Sequence, residues 1–207
     1  MRVVLASASP ARLAVLRAAG LDPLVAAADL DEEALLGTAP QTPPADKVTL
    51  LAAAKATTVA RRAAADLPRA VVIGCDSMLH LDGELVGKPG TPQVATARWR
   101  AMAGKRGELV TGHAVLRVVD GEIDQVAEGH AVTGVRFGEP SERELAAYVA
   151  SGEPLAVAGG FTLDGLGGWF VEGIDGDHGN VIGISLPLTR RLLAAVGVRV
   201  TDLWARD

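Results

Sequence analysis

The chain has one cysteine, Cys75, which excludes an intramolecular disulfide framework. Cys75 ends an apolar run and reads as a buried, inert thiol; a lone cysteine fits a reducing cytoplasm. Aromatic residues are only 3% of the 207, against 49% hydrophobic residues rich in alanine, so an aliphatic core is expected. Positive charge is not in excess. A net charge of −5 argues against a nucleic-acid duplex, whose phosphates require a basic surface. It leaves room for a small phosphorylated ligand, which needs only a local cluster of cations. No stretch reaches the ~18–20 uncharged apolar residues that span a membrane, and the opening apolar run is too short for a signal peptide. The expectation is a soluble, cytoplasmic protein with neither membrane nor nucleic-acid partners. There is no internal repeat and no low-complexity tail. The length suits one domain over residues 1–207.

What is present alternates between helix and strand signals. Arg2–Ala6 predicts a buried strand. Ser9 as N-cap and Pro10 at the first helical position open a helix that Gly20 stops. Leu21–Ala28 predicts a second strand, Asp29–Pro44 an acidic and then Pro-rich loop, and Asp46–Ala65 a long helix broken by Pro68. Ala70–Cys75 predicts a buried strand, with Asp76 at its end. Asp82-Gly83 marks a hairpin turn. Thr91-Pro92 opens a helix that Gly104 ends. Glu108–Val119 and Glu122–Phe137 form a hairpin around Asp120-Gly121, and Ser141-x-x-Glu144 is a capping box for a helix ending near Gly152. A glycine-rich segment, a strand over Trp169–Ile174 and a helix over Leu188–Val196 complete the chain. The long hairpin among alternating elements predicts an α/β fold with a mixed sheet flanked by helices.

Several features could carry chemistry. Ser7, Ser9 and Arg12 gather at a strand-to-helix junction, where helix N–H groups and dipole favour an anion; an ordinary capped helix is the plain alternative. Lys55 shares a helix face with Val48, Leu51, Ala52 and Val59, so it either snorkels to the core's edge or points into a pocket. Asp76 follows five apolar residues, and ligands gather at the carboxyl ends of strands in α/β sheets; the alternative is a carboxylate that merely ends a strand. Pro89 biases Lys88 to an extended conformation, which suits a phosphate contact or a turn lysine. Asp29, Asp31, Glu32, Glu33, Glu172, Asp175 and Asp177 include candidate oxygen ligands for Mg²⁺, most of them solvated. His80, His113, His130 and His178 lack zinc spacing and read as structural or surface residues.

The ordered set resembles the Maf-type nucleoside triphosphate pyrophosphatases. It comprises Leu5-Ala6-Ser7-Ala8-Ser9-Pro10, Leu30-Asp31-Glu32, Lys55, Ile73-Gly74-Cys75-Asp76-Ser77, Gly87-Lys88-Pro89, Thr111-Gly112, Ala158-Gly159, Gly165-Leu166-Gly167, Phe170-Val171-Glu172, Asn180-Val181-Ile182-Gly183 and Leu186-Pro187-Leu188. The resemblance implies cleavage of nucleoside triphosphates to the monophosphate and diphosphate, as in clearing modified or non-standard nucleotides. It implies a divalent cation, Mg²⁺ or Mn²⁺, a homodimer, and an elongated sheet like that of the inosine triphosphatases with a cleft between two lobes. It places the proton-accepting aspartate at Asp76, phosphate contacts at Ser7, Ser9, Arg12, Lys55 and Lys88, and the acidic-loop position at Glu32. Glu32 and Asp76 would hold the metal, with the base near Ser77 and Asp164. Three positions depart from the uridine/thymidine-triphosphate branch. Ala11 stands where that branch has the first of two arginines, Ser77 where it has a threonine and Asp164 where it has a glutamine. The reaction type therefore carries over and the base preference does not. A nucleotide-binding regulator of septum formation, without turnover, is the second reading.

Overall fold

The computed structural model describes residues 1–63 and 66–205. Seven strands form one mixed sheet in the order β2-β1-β3-β5-β6-β7, with β4 also paired to β3. The strands are β1 Arg2–Leu5, β2 Leu24–Val25, β3 Arg69–Leu81, β4 Glu84–Val86, β5 Arg106–Val119, β6 Glu122–Phe137 and β7 Val171–Asp175. The α-helices are α1 Pro10–Ala18, α2 Glu32–Gly37, α3 Pro44–Ala63, α4 Pro92–Met102, α5 Glu142–Ala150, α6 His178–Ile182 and α7 Leu186–Ala195. Pairing is parallel at β1–β2 and β1–β3 and antiparallel at β3–β4 and β6–β7. The chain divides into two compact units. One comprises Met1–Asp76, Thr111–Ala131 and Gly183–Asp207, the other Ser77–Val110 and Val132–Ile182.

In the first unit the strands alternate strictly. On β3, Val71, Ile73 and Cys75 join Leu16, Ile184, Leu188, Leu192 and Leu193 in one core cluster; Ala70 and Val72 join Ala52, Ala56 and Val59 of α3 in another. Period-two alternation thus gives the sheet two buried faces, α1 and α7 on one and α3 on the other. Both cores here are almost wholly aliphatic. The second unit differs, and corrects the composition-based expectation. Trp99 meets Phe137, Tyr148 and Phe170 edge-on at centroid distances of 5.9, 5.6 and 5.8 Å, and Phe161 meets Phe137 at 5.0 Å. Scarcity in the whole chain concealed concentration in one unit.

Local signals held where they were local. Ser9, Thr91 and Ser141 cap their helices, and the Ser141–Glu144 box is complete. Asp82-Gly83 and Asp120-Gly121 have φ of 50°, 88°, 52° and 81°, the paired left-handed conformations of a two-residue hairpin turn. Four expectations need correction. The second strand shrinks to Leu24–Val25, since Pro23 has no amide with which to extend pairing. The acidic loop contains α2, whose N-cap Asp31 accepts from the Ala34 amide at 2.9 Å and whose first turn carries Glu32 and Glu33. Helix α3 begins at Pro44, and the expected last residues, Ala64 and Ala65, lie outside those described. Most consequentially, β3 does not stop at Cys75. It runs through Asp76 to Leu81, because Leu79, His80 and Leu81 pair with Val86, Leu85 and Glu84.

Candidate active site

Asp76 falls on the face of β3 that carries Ala70 and Val72, since even positions share a side. Gly74 is the residue between them and α3. A Cβ on Gly74 would lie 2.3 Å from the Ala52 carbonyl oxygen, and one on Gly112 of β5 would lie 2.2 Å from the Val48 carbonyl. These two glycines let α3 rest directly on strand backbone. Lys55, one turn from Leu51 and Ala52, is thereby brought against Asp76. Its ammonium donates to Asp76 Oδ1 at 2.5 Å and pairs with Glu32 Oε1 at 2.7 Å. The Lys55 ammonium thus lies between two carboxylates rather than among the apolar residues of its helix face.

The Asp76 side chain is 10% exposed. Its Oδ2 is buried and has no hydrogen-bond partner among the described residues. Burial is the largest influence on its carboxyl and raises the pKa; Lys55 and Arg12 oppose this, Glu32 adds to it, and the net shift is upward. Cys75 is wholly buried, its thiol pushed up to about 11, first by desolvation, so it stays protonated as expected.

The N-terminal cluster assembles beside this pair. The Ser9 hydroxyl accepts from the Arg12 amide, and the Ser7 hydroxyl accepts from the Ser9 amide at 3.2 Å. The Arg12 guanidinium donates to Ser7 Oγ at 3.0 Å, to the Cys75 carbonyl at 2.9 Å and to the Gly183 carbonyl at 2.8 Å. Arg12 is therefore fixed by β3 and by the segment before α7, two anchors that sequence reasoning missed. Backbone carbonyls carry no residue signature, so nothing in the sequence marks them. Ser7, Ser9, Arg12, Glu32, Lys55 and Asp76 all belong to the first unit.

Ser77, Lys88 and Asp164 belong to the second unit. Ser77 is half-buried on β3, while Lys88 and Asp164 are exposed. Lys88 lies in a connection pinned on either side. The Gly87 carbonyl accepts from the Gly159 amide at 3.1 Å and from Arg98 at 2.5 Å, and the Gly90 amide donates to the Leu155 carbonyl at 2.9 Å. The remaining acidic candidates have structural or surface roles. Asp175 pairs with Arg106 at 3.0 Å, Asp177 accepts from the Gly179 amide at 2.9 Å, and Glu172 is exposed. The histidines read as expected. His130 and His178 are exposed, and His80 faces Glu108 at 3.5 Å. His113 is buried; the Ser185 amide donates to its Nε2 at 2.8 Å, so the ring proton sits on Nδ1 and donates to the Thr111 carbonyl at 3.1 Å.

The family model described as Maf-like protein matches residues 2–196, spanning every residue of this cluster. The chain belongs to the Maf-like family. Curated relatives align along nearly its whole length. A protein from Saccharopolyspora erythraea is 62% identical over 205 residues, covering 99% of this chain and 97% of its own. One from Nocardia farcinica is 59% identical over 207 residues, covering 98% and 96%. One from Streptomyces coelicolor is 57% identical over 204 residues, covering 99% and 95%. All three carry the name nucleoside triphosphate pyrophosphatase. Among solved structures, a nucleoside-triphosphatase/dITP/XTP pyrophosphatase from Mycobacterium abscessus is 15% identical to this Maf-like chain. It covers 66% of this chain and 74% of its own, with a TM-score of 0.36.

Proposed function

We propose that this chain hydrolyses nucleoside triphosphates to the nucleoside monophosphate and diphosphate, working as one catalytic domain over residues 1–207. One observation carries the reading: a buried carboxylate, Asp76, has one oxygen held by Lys55 and the other without a hydrogen-bond partner among the described residues. A carboxylate so placed is a general base. The family membership and the names of the relatives support the same reaction, and the non-catalytic reading as a division regulator gains nothing from them.

In the reaction a water oxygen attacks the α-phosphorus, the bond from that phosphorus to the bridging oxygen breaks, and pyrophosphate leaves. Asp76 Oδ2 takes the water's proton. Lys55 and Lys88 offset charge developing at the phosphates, while Ser7, Ser9, Arg12 and the N-terminus of α1 hold the chain of phosphates. Ser77 and Asp164 serve as contacts to the nucleoside.

A divalent metal, Mg²⁺ or Mn²⁺, fits Glu32 and Asp76. Among the described residues no group of three or more His, Cys, Asp or Glu could hold a metal, and Mg²⁺ characteristically takes one or two carboxylates plus substrate phosphates. Glu32 Oε1 and Asp76 Oδ1, which already meet at the Lys55 ammonium, are the carboxylate oxygens that would hold such a cation, leaving Oδ2 for the water's proton. When bound, the metal would supply polarisation of the α-phosphoryl group and neutralise phosphate charge. Full loss of turnover in EDTA, with return on adding Mg²⁺ or Mn²⁺, is expected in a pyrophosphate-release assay. Among the described residues no helix is long and apolar enough to cross a membrane; the single buried thiol supports a cytoplasmic setting, and the acidic charge a role without nucleic acid. A homodimer is expected, to be read by light scattering.

The deciding experiment is Asp76→Asn. General-base removal should lower pyrophosphate release with Mg²⁺ by about 10²–10⁴-fold. A wild-type rate would sink the assignment.

A further inference from the structure

In the second unit a carboxylate with no part in the chemistry above organises the glycine-rich segment. Glu153 follows Gly152, whose φ is 79°, and opens a short 3-10 turn. Its amide donates to Ser151 Oγ at 3.2 Å, which sets the backbone. Its side chain then reaches the segment 162–167. Oε1 accepts from Thr162 Oγ1 at 2.5 Å and from the Gly167 amide at 3.0 Å, and Oε2 accepts from the Leu166 amide at 3.0 Å. The Gly167 amide is shared with Thr162 Oγ1 at 3.1 Å.

The segment wraps this carboxylate closely. A Cβ on Gly165 would lie 2.7 Å from Glu153 Oε2, and one on Gly167 would lie 2.5 Å from the Tyr148 hydroxyl. Burial by itself raises the Glu153 pKa, but the hydrogen bonds from Thr162, Leu166 and Gly167 prevail and hold it below the usual carboxylate value. Asp164 is exposed at the apex, two residues from Thr162 and two from Leu166. The segment is therefore tied to one carboxylate on both sides of Asp164, through the Thr162 side chain before it and the Leu166 and Gly167 amides after it.

We propose that Glu153 is a positioning residue for nucleobase selection: by fixing segment 162–167 it sets the direction in which Asp164 presents its acceptors to the base. The proposal rests on the reading of Asp164 as a substrate contact. An ionised carboxylate accepts and does not donate, so when held still it favours base edges that present N–H donors over those that present carbonyls. Releasing the segment changes where the acceptors point and leaves the reacting phosphates untouched. The loss should therefore appear in KM and in the ranking of bases, with kcat little changed.

The test compares wild type, Glu153→Gln, Asp164→Ala and the double variant across ATP, GTP, CTP, UTP and dTTP. Glu153→Gln should raise KM for the preferred nucleotide about tenfold, a factor typical of one or two lost hydrogen bonds. It should compress the spread among bases, keep kcat within about threefold, and leave inhibition by tripolyphosphate, which has no base, at the wild-type value. In the Asp164→Ala background Glu153→Gln should add nothing further, because neighbours acting through one route are non-additive. If Glu153→Gln proves too unstable to assay, Thr162→Val removes the 2.5 Å bond to Glu153 and the 3.1 Å bond from the Gly167 amide, leaves the Glu153 bonds to the Leu166 and Gly167 amides, and should shift the ranking in the same direction. Three results overturn the idea. A wild-type ranking in Asp164→Ala removes the underlying reading of Asp164. A changed ranking there with a wild-type ranking in Glu153→Gln removes the positioning role alone. Additive losses, or a uniform fall in kcat across all bases, assign Glu153 to general stability.

Discussion

At Asp76 two influences oppose each other, and their balance sets a pH dependence. Burial raises the carboxyl pKa and Lys55 lowers it, with burial the larger. In metal-free protein the Asp76 carboxyl should therefore titrate above the range of an ordinary carboxylate, as NMR in EDTA would read, and an added divalent cation should lower it. The stability consequence runs the other way. A group whose pKa is higher folded than unfolded stabilises the fold below its unfolded pKa, and that contribution is lost as pH rises through the folded value. At neutral pH ionised Asp76 is therefore a cost. Asp76→Asn, which keeps an oxygen for Lys55, should melt at or above the wild-type temperature while losing turnover, as is common when active-site strain is relieved. Arg12 makes the opposite case. Its planar fork spans Ser7, Cys75 and Gly183, and a lysine has only one point of charge. Arg12→Lys should lower stability by about 1–3 kcal/mol in denaturant titration and raise KM for every nucleotide alike.

Helix α3 reaches its place through two absences of side chain. Gly112→Ala would drive a Cβ to 2.2 Å from Val48 backbone, and Gly74→Ala to 2.3 Å from the Ala52 carbonyl. Backbone cannot rotate aside as a side chain can, so each should cost at least the ~1–3 kcal/mol of ordinary overpacking and should displace Lys55 from Asp76. Thermal melting and turnover should fall together. This contact also explains what the sequence could and could not disclose. Caps and hairpin turns were legible because Ser9-Pro10, Ser141-x-x-Glu144 and Asp120-Gly121 are decided within four residues. The extent of β3 was not. A carboxylate after five apolar residues reads as a strand's end, and it is tolerated inside one because Lys55, distant in sequence and seated on the opposite layer, meets it. The face on which Lys55 lies was legible, but what that face meets was not. Helix α2 was overlooked for a related reason: Asp31-Glu32-Glu33 is a helix-opening sequence that its acidity made look like a loop.

Across the whole molecule, the chain changes unit after Asp76, Val110, Ala131 and Ile182, so neither unit is a continuous stretch. Family membership was legible because it is read along the chain; the interleaving was not, because it exists only in contacts. The last segment of the first unit contributes Ile184, Leu188, Leu192, Leu193 and Val196 to its core. Each buried aliphatic side chain contributes roughly 1.5–3 kcal/mol, and a domain's net stability is only about 5–15 kcal/mol. A chain cut after Ile182 should therefore fail to give a cooperative melt by circular dichroism, although it retains Arg12, Lys55 and Asp76. The hydrogen bond from Arg12 to the Gly183 carbonyl has a further meaning during synthesis. Arg12 is made well before Gly183, the anchor that it needs. The second unit has all its segments once Ile182 has emerged, whereas Arg12 must wait for a partner made long after it. The Arg12 fork is thus completed only when the chain has returned to the unit it began.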